Sequence, residues 1–240
     1  MTAPPITPLP VTGTPGFVML FGGTFDPPHK GHVELPVKVR DEVERREECP
    51  GRGWLVYVPA ARSPHKPGGP MAGNEDRAEM LRRCAAAIPR AGVWTDEIDR
   101  ADAEPSYTVE TLGRAREWMD EHGMSGSPLR LLIGADQAMA FHKWRQPRDI
   151  LRIARPVVMI RGDARSARSL AEKMSRLRYW SRDEIGEWLA AVAPVGAIDV
   201  SATRVREALR GGDAGAAAGL IPEPVRRYIV EHQLYPPPTH

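Results

Sequence analysis

Short apolar runs alternate with amphipathic stretches along most of this chain, and that alternation limits the fold more than any other feature. The runs are Phe17-Val18-Met19-Leu20-Phe21, Trp54-Leu55-Val56-Tyr57-Val58, Leu129-Arg130-Leu131-Leu132-Ile133, Pro156-Val157-Val158-Met159-Ile160 and Ala197-Ile198-Asp199-Val200, with a weaker one at Gly92-Val93-Trp94. They are short and largely apolar on both faces, as strands buried between two helical layers must be. Between them, residues 75–88 place Ala78, Leu81 and Ala85 at helical spacing, and residues 108–122 do the same with Leu112, Ala115 and Met119 before a stop at Gly123. The segment 164–195 holds one or two helices, with Leu170, Met174 and Leu177 on one face and Ile185, Trp188 and Leu189 on another. A closing helix is expected over 225–234, with Pro224 at its start. The expected fold class is α/β, a Rossmann-like doubly wound parallel sheet with helices on both faces.

In such a sheet, ligands bind beyond the carboxyl ends of the strands, where strand order reverses. The residues that follow the runs are Gly22-Gly23-Thr24, the stretch from Pro59 to Lys66, Gly134-Ala135-Asp136, Arg161-Gly162, and Ser201 to Arg206. One edge of the sheet therefore carries the chemistry.

Composition removes several alternatives. Lys and Arg total 33 against 31 Asp and Glu, a net charge of +2, which lacks the basic excess of a non-specific nucleic-acid binder. No apolar run approaches the ~18 residues of a spanning helix, so no membrane partner is expected. Cys49 and Cys84 can build neither a disulfide framework nor a C-x-x-C zinc site, and read as reduced thiols of a cytoplasmic protein. The first fifteen residues hold no Lys or Arg and are broken by Pro4, Pro5, Pro8, Pro10 and Pro15. They are expected to be a disordered tail (1–15) whose deletion is harmless. One domain then spans 16–235, and Pro236-Pro237-Pro238 opens a second disordered tail, 236–240.

The stretch after the first run is Gly22-Gly23-Thr24-Phe25-Asp26-Pro27-Pro28-His29-Lys30-Gly31-His32. Glycine lets a backbone approach a ligand with no Cβ in the way. His29 and His32, three residues apart, share a face if a helix begins here. The first turn of a helix also offers unpaired N–H groups and a partial positive charge. Two imidazoles beside such an anion site suit a polyphosphate. Taken alone, either half of this string is equally well a plain turn or a surface histidine pair.

The complete string resembles the G-x-F-x-P-x-H-x-G-H signature of the nucleotidyltransferase superfamily, and within it the bacterial nicotinate-mononucleotide adenylyltransferases. Further segments fall where that family places them: Ser63-Pro64-His65-Lys66, Ser106-Tyr107-Thr108-Val109-Glu110-Thr111-Leu112, Gly134-Ala135-Asp136, Trp144, and Ser201-Ala202-Thr203-Arg204-Val205-Arg206. The resemblance covers roughly Phe17 to Tyr235 in order.

It implies transfer of the adenylyl group of ATP to nicotinate mononucleotide by direct in-line attack, giving nicotinate adenine dinucleotide and pyrophosphate. By that resemblance His29, His32 and Arg206 act on the ATP phosphates. Gly22, Gly23, Thr24, Phe25, Gly134, Asp136, Ser201 and Thr203 bind ATP. Lys66, Thr108, Trp144 and Arg145 bind the mononucleotide, Trp144 by stacking on the pyridine ring, and Thr108 with the Arg145 N–H by holding the nicotinate carboxylate. No protein metal ligand is expected; Mg²⁺ rides on the phosphates. Asp26 reads as a turn-capping residue rather than a metal ligand.

The residues themselves leave some roles open. Ser201 is either a phosphate contact or a plain helix N-cap, Lys66 either a closing lysine or a solvated one, and Trp144 either a stacking platform or core. Two departures stand out. The family usually shows two consecutive serines where this chain has Ser201-Ala202, and Pro36 falls inside the helix expected after His32. The rival readings are a pantetheine-phosphate adenylyltransferase, which shares the first motif, and a non-catalytic nucleotide sensor. A third, a class I aminoacyl-tRNA synthetase fragment, is suggested by Lys173-Met174-Ser175-Arg176. It is opposed by the helical spacing of Leu170, Met174 and Leu177 and by a length too small for an anticodon-binding domain.

Overall fold

A computed structural model describes residues 4–49, 52–61, 70–100, 106–160, 167–196, 198, 200–211 and 217–237. The elements run β1 (Phe17–Gly23), α1 (Lys30–Arg46), β2 (Gly53–Pro59), α2 (Asn74–Ala85), β3 (Ala91–Val93), α3 (Asp96–Asp99), α4 (Thr108–Glu121), β4 (Leu129–Gly134) and α5 (Ala135–Ala140). After a 3₁₀ turn at Phe141–Lys143 come α6 (Pro147–Ile153), β5 (Arg155–Met159), α7 (Ala167–Leu177), α8 (Arg182–Ala190), β6 (Val192–Ala193), α9 (Ala202–Arg210) and α10 (Glu223–Glu231).

The six strands form one sheet in the order β3-β2-β1-β4-β5-β6, every pair parallel. The pleat sends alternate residues of β1 to opposite faces. Val18 and Leu20 join one buried cluster with Leu112 and Met119 of α4, Ile150 of α6, Leu170 of α7 and Trp188 of α8. Phe17, Met19 and Phe21 join the other, with Leu35 and Val39 of α1 and Leu81 of α2. Both faces are covered, and this is why the strands read as continuous apolar runs rather than as alternating ones. A third cluster joins α2 to α9 and α10 through Met80, Val205, Val225 and Ile229.

The order reverses between β1 and β4, and there the sheet opens. The β1–β4 ladder ends at Phe21 opposite Leu132, whereas β1 stays paired with β2 as far as Gly23 opposite Pro59. Beyond Phe21 the chain thus leaves β4 behind and creates a crevice at the carboxyl edge, where ligands of such sheets bind.

Three expectations need correction. Residues 4–15 are not a disordered tail: Leu9 and Val11 are buried in the cluster that contains Trp94 and Met119. The sixth strand of the sheet is Val192–Ala193, opposite Val158 and Met159, and of the run expected at 197–200 the described residues Ile198 and Val200 take no part in it. After it the backbone makes tight turns, the Val195 N–H bonding to the Ala193 carbonyl (2.9 Å) and the Val200 N–H to that of Ile198 (3.0 Å). Ala197 and Asp199 lie outside the described residues. Leu177, placed on the apolar face of its helix, is exposed at the end of α7 while Leu170 and Met174 are buried. Pro36 does not interrupt α1, which runs on to Arg46 with Pro36 buried inside it. Among the described residues no helix is long and apolar enough to cross a membrane.

Candidate active site

The crevice between β1 and β4 widens into a cleft of about 1470 Å³. The turn from Gly22 to His32 forms its floor, the start of α9 one wall, and α3, α4 and the turn after α5 the other. Of the residues expected to act on ATP or a mononucleotide, Gly22, Gly23, Thr24, Phe25, His29, His32, Thr108, Asp136, Trp144, Arg145, Ser201, Thr203 and Arg206 all line this one space. Gly134 sits just behind it as the N-cap of α5, its N–H held by the Gln137 side chain at 3.0 Å. Lys66, with Ser63, Pro64 and His65, lies outside the described residues, as do Arg161 and Gly162.

His29 is the N-cap of α1, so His32 follows within the first turn, and their rings stack with centroids 3.6 Å apart and planes 19° from parallel. An edge-on contact with Phe25 (5.0 Å, 82°) holds His32 from the other direction. Phe25 in turn contacts Phe21 and Tyr57, which makes an aromatic base under the pair. Two glycines are required here for packing. A Cβ on Gly23 would come within 2.9 Å of the Phe25 ring, and one on Gly31 within 2.9 Å of Val200 and 3.2 Å of the His29 ring. Gly22 differs, since its Cβ would point into open space, and it is the glycine that leaves room for a ligand.

The backbone at the start of α1 is less available than expected. The Lys30 N–H donates to the Leu220 carbonyl (3.0 Å) and the His32 N–H to that of His29 (2.8 Å). An anion at this turn would therefore meet the imidazoles more than the helix end.

The facing wall is similarly part-committed. Ser201 caps α9 by accepting the Arg204 N–H at 3.3 Å. That uses the oxygen as acceptor and leaves the hydroxyl proton for a ligand. Arg206 spends one Nη1 bond on the Asp26 carbonyl (2.7 Å) and one Nη2 bond on Thr203 Oγ1 (3.3 Å). A guanidinium has five donors, so its fork keeps capacity for phosphate.

Asp26 is not a cap of its own turn. Buried beneath it, the carboxylate accepts the Met71 N–H (2.8 Å), the Ala72 N–H (3.1 Å) and the Tyr235 hydroxyl (2.7 Å). Both oxygens are engaged, and the site turn is thereby tied to residues 71–72 and to Tyr235 near the end of the chain. Burial beside this carboxylate pushes the Tyr235 phenol well up from its ordinary value. Arg77, fully buried in α2, ties the turn from below through the carbonyls of Thr24 (2.6 Å) and Ala60 (2.8 Å) and through Asn74 Oδ1 (2.6 Å).

At the far end Trp144 stacks on Phe141 (4.8 Å, 28°) and is half-buried, so it is both core and cleft wall. Thr108 opens α4, where the helix end favours a carboxylate. The Arg145 guanidinium lies over the Tyr107 ring (4.5 Å) and 3.3 Å from Glu110. Glu97 and Thr111, absent from the expected set, also line this end, joined by a Thr111 hydroxyl to Glu97 Oε1 bond of 2.6 Å. Burial pushes the Glu97 carboxyl up from its ordinary value, so its negative charge is disfavoured there.

Comparison with known proteins adds to this geometry. The cytidylyltransferase-like family model matches residues 20–208. A protein of Halorhodospira halophila named as a probable nicotinate-nucleotide adenylyltransferase is 34% identical over 226 residues, covering 90% of this chain and 94% of that one. One of the same name from Salinibacter ruber is 32% identical, covering 92% and 98%. Among solved structures, Plasmodium falciparum nicotinic acid mononucleotide adenylyltransferase complexed with NaAD superposes with a TM-score of 0.65, covering 91% of this chain and 96% of that one. At 14% identity it speaks for the fold alone.

Proposed function

The chain belongs to the nicotinate-nucleotide adenylyltransferases, within the cytidylyltransferase-like family, and from that membership we propose that its cleft joins ATP to nicotinate mononucleotide. An oxygen of the mononucleotide phosphate attacks the α-phosphorus of ATP, a P–O bond forms, and the bond to the bridging oxygen of pyrophosphate breaks. Both phosphates are already ionised, so no general base and no covalent enzyme intermediate are needed. What the protein must supply is alignment and charge stabilisation.

The observation that carries this reading is the stacked His29–His32 pair at the switch point, lining one cleft with the open side of Gly22 and with Arg206. The imidazoles act as donors to the phosphates, His29 nearest the leaving pyrophosphate, while Arg206 clamps the same anion from the α9 side. The Ser201 hydroxyl and Thr203 complete that side, and Asp136 faces the adenosine, with Gly134 behind it as the cap of α5. Mg²⁺ carried by ATP would add charge neutralisation on the leaving group, held by the phosphates rather than by side chains of this chain. Asp26 is engaged by three protein donors, which supports a structural role for it rather than a metal ligand. The buried free thiols Cys49 and Cys84 suit a cytoplasmic location.

At the other end Trp144, backed by Phe141, offers a platform for the pyridine ring. Thr108 and the Arg145 N–H hold the carboxylate; Lys66, outside the described residues, is the family's counterpart for the mononucleotide phosphate. Donors meeting a charged carboxylate contribute about 1.5–3 kcal/mol, which corresponds to roughly 10- to 150-fold in preference for the acid over the amide.

Turnover with ATP, Mg²⁺ and one candidate acceptor at a time tests this. Nicotinate mononucleotide is expected to yield nicotinate adenine dinucleotide and pyrophosphate in equal amounts. Nicotinamide mononucleotide should react at least about tenfold less efficiently, and comparable rates would overturn the acid preference. Preferential turnover of phosphopantetheine would overturn the assignment itself.

A further inference from the structure

The proline-rich start of the chain crosses the outside of the wall that carries the mononucleotide end of the cleft. Leu9 and Val11 enter the core, and Pro10 lies so close to β3 that a Cβ on Gly92 would come within 2.6 Å of it. Thr7 makes three polar contacts. Its N–H reaches Asp96 Oδ1 (3.0 Å), its hydroxyl reaches Asp99 Oδ2 (2.7 Å), and its carbonyl accepts the Trp94 indole N–H (2.7 Å). Both Asp residues belong to α3, a helix of 4 residues, too short to hold its shape unaided.

Asp96 is also gripped from α4. Arg114 meets it in a two-pronged ion pair, Nε to Oδ2 at 2.7 Å and Nη2 to Oδ1 at 2.6 Å. The same guanidinium donates to the carbonyls of Pro4 (3.1 Å) and Pro5 (2.9 Å). Helices α3 and α4 are thus joined on both sides, and Arg100 at the end of α3 adds a bond to Thr111 (3.1 Å) and a pair with Glu110 (3.7 Å). On the cleft side the bond is Thr111 to Glu97; on the outer side it is Arg114 to Asp96, one residue before Glu97 and three after Thr111. The N-terminal segment completes only the outer joint.

We propose that residues 4–8 are a positioning strap: by locking α3 to the start of α4 from outside, they set the wall formed by Glu97, Thr108 and Thr111 and so the grip on the mononucleotide. This rests on the functional reading above. The ATP half of the cleft is built on β1, α1 and α9, none of which these five residues contact through the bonds described, so the two substrates should respond differently.

The test is deletion of residues 2–8, which spares buried Leu9 and Val11 but also removes Ile6, half-buried against the same cluster, and the Thr7 carbonyl that accepts the Trp94 indole N–H. The KM for nicotinate mononucleotide should rise roughly tenfold, because misplacing positioning groups by about an ångström can cost up to about 10²-fold. The KM for ATP should stay within about twofold of the full chain. Arg114→Lys in the full chain keeps the charge but loses the fork, and should shift the same KM in the same direction. Equal changes in both KM values, or none, would overturn the proposal. Amide hydrogen exchange reads the clamp without any substrate: protection should fall across 96–100 and 108–112 and be unchanged in β1 and α1, and unaltered protection at α3 overturns the strap. A full-length chain that never turns over nicotinate mononucleotide would strike the functional reading instead, and the exchange result would still decide the clamp.

Discussion

His29→Ala lowers kcat at least roughly 10²-fold, the loss expected when one donor aimed at developing charge is removed. Three observations set that magnitude. His29 is buried (2% exposed) at the start of α1, its ring is fixed against His32 at 3.6 Å, and both line the cleft beneath Gly22. A donor so held reorganises little as the pyrophosphate leaves, so its contribution grows toward the transition state and falls on kcat more than on KM. The thermal midpoint of this variant should move far less than that of the next one, because Phe25, Phe21 and Tyr57 still support the turn. Steady-state kinetics with a melting curve on the same sample check both halves. A near-normal rate would remove His29 from the chemistry.

Asp26→Ala destabilises the fold by about 3–5 kcal/mol, a shift of roughly 10 °C or more in the melting midpoint for a chain of this size. The Met71 N–H, the Ala72 N–H and the Tyr235 hydroxyl all lose their acceptor. Leaving a buried donor unsatisfied costs about 1–3 kcal/mol each. The total falls toward the lower end of the sum because Met71 is partly exposed (46%) and its N–H can find water. The alanine variant also takes a nearby negative charge from Arg77, which is fully buried and whose ionised form burial disfavours while Asp26 supports it. Tyr235→Phe removes one bond of the set and should cost only about 1 kcal/mol. Activity should fall with Asp26→Ala even where the protein remains folded, since the turn that carries His29 is no longer tied down. Parallel denaturation of the two variants measures the difference.

The cleft was legible in the sequence where its parts are contiguous. The string from Gly22 to His32 and the segment from Ser201 to Arg206 each hold their spacing within one turn and one helix start. Strands β1, β2, β4 and β5 were legible because both their faces are buried, so no polar residue had to interrupt the apolar run except Arg130. Its buried guanidinium is paired with Glu47 at the end of α1, at 2.7 Å. What could not be read was the support beneath the turn. Asp26 meets residues 45 and 209 positions away, and no local pattern encodes such pairings. Arg77 did leave a trace: it stands four residues before Leu81 and eight before Ala85, on the apolar face of α2, where a charge needs buried partners.

The N-terminal segment misled for a physical reason. Proline removes N–H donors and periodicity, and the local composition then looks unable to fold. Here the prolines serve through their carbonyls, to which Arg114 donates, and the alternation Leu9, Pro10, Val11 puts two apolar side chains inward. The last strand misled in the opposite way. Ile198 and Val200 are apolar because they face the cleft and pack against its floor, not because they pair in the sheet.

The central claim is that a triphosphate lies over the bend from Gly22 to His32 with a second nucleotide's phosphate aligned against it. A crystal structure with a non-hydrolysable ATP analogue and nicotinate mononucleotide tests this most directly. Phosphate oxygens are expected within hydrogen-bond distance of both imidazoles and of Arg206, with the pyridine ring on Trp144. Phosphates bound elsewhere, with His29 and His32 still stacked on each other and touching no ligand, would contradict it.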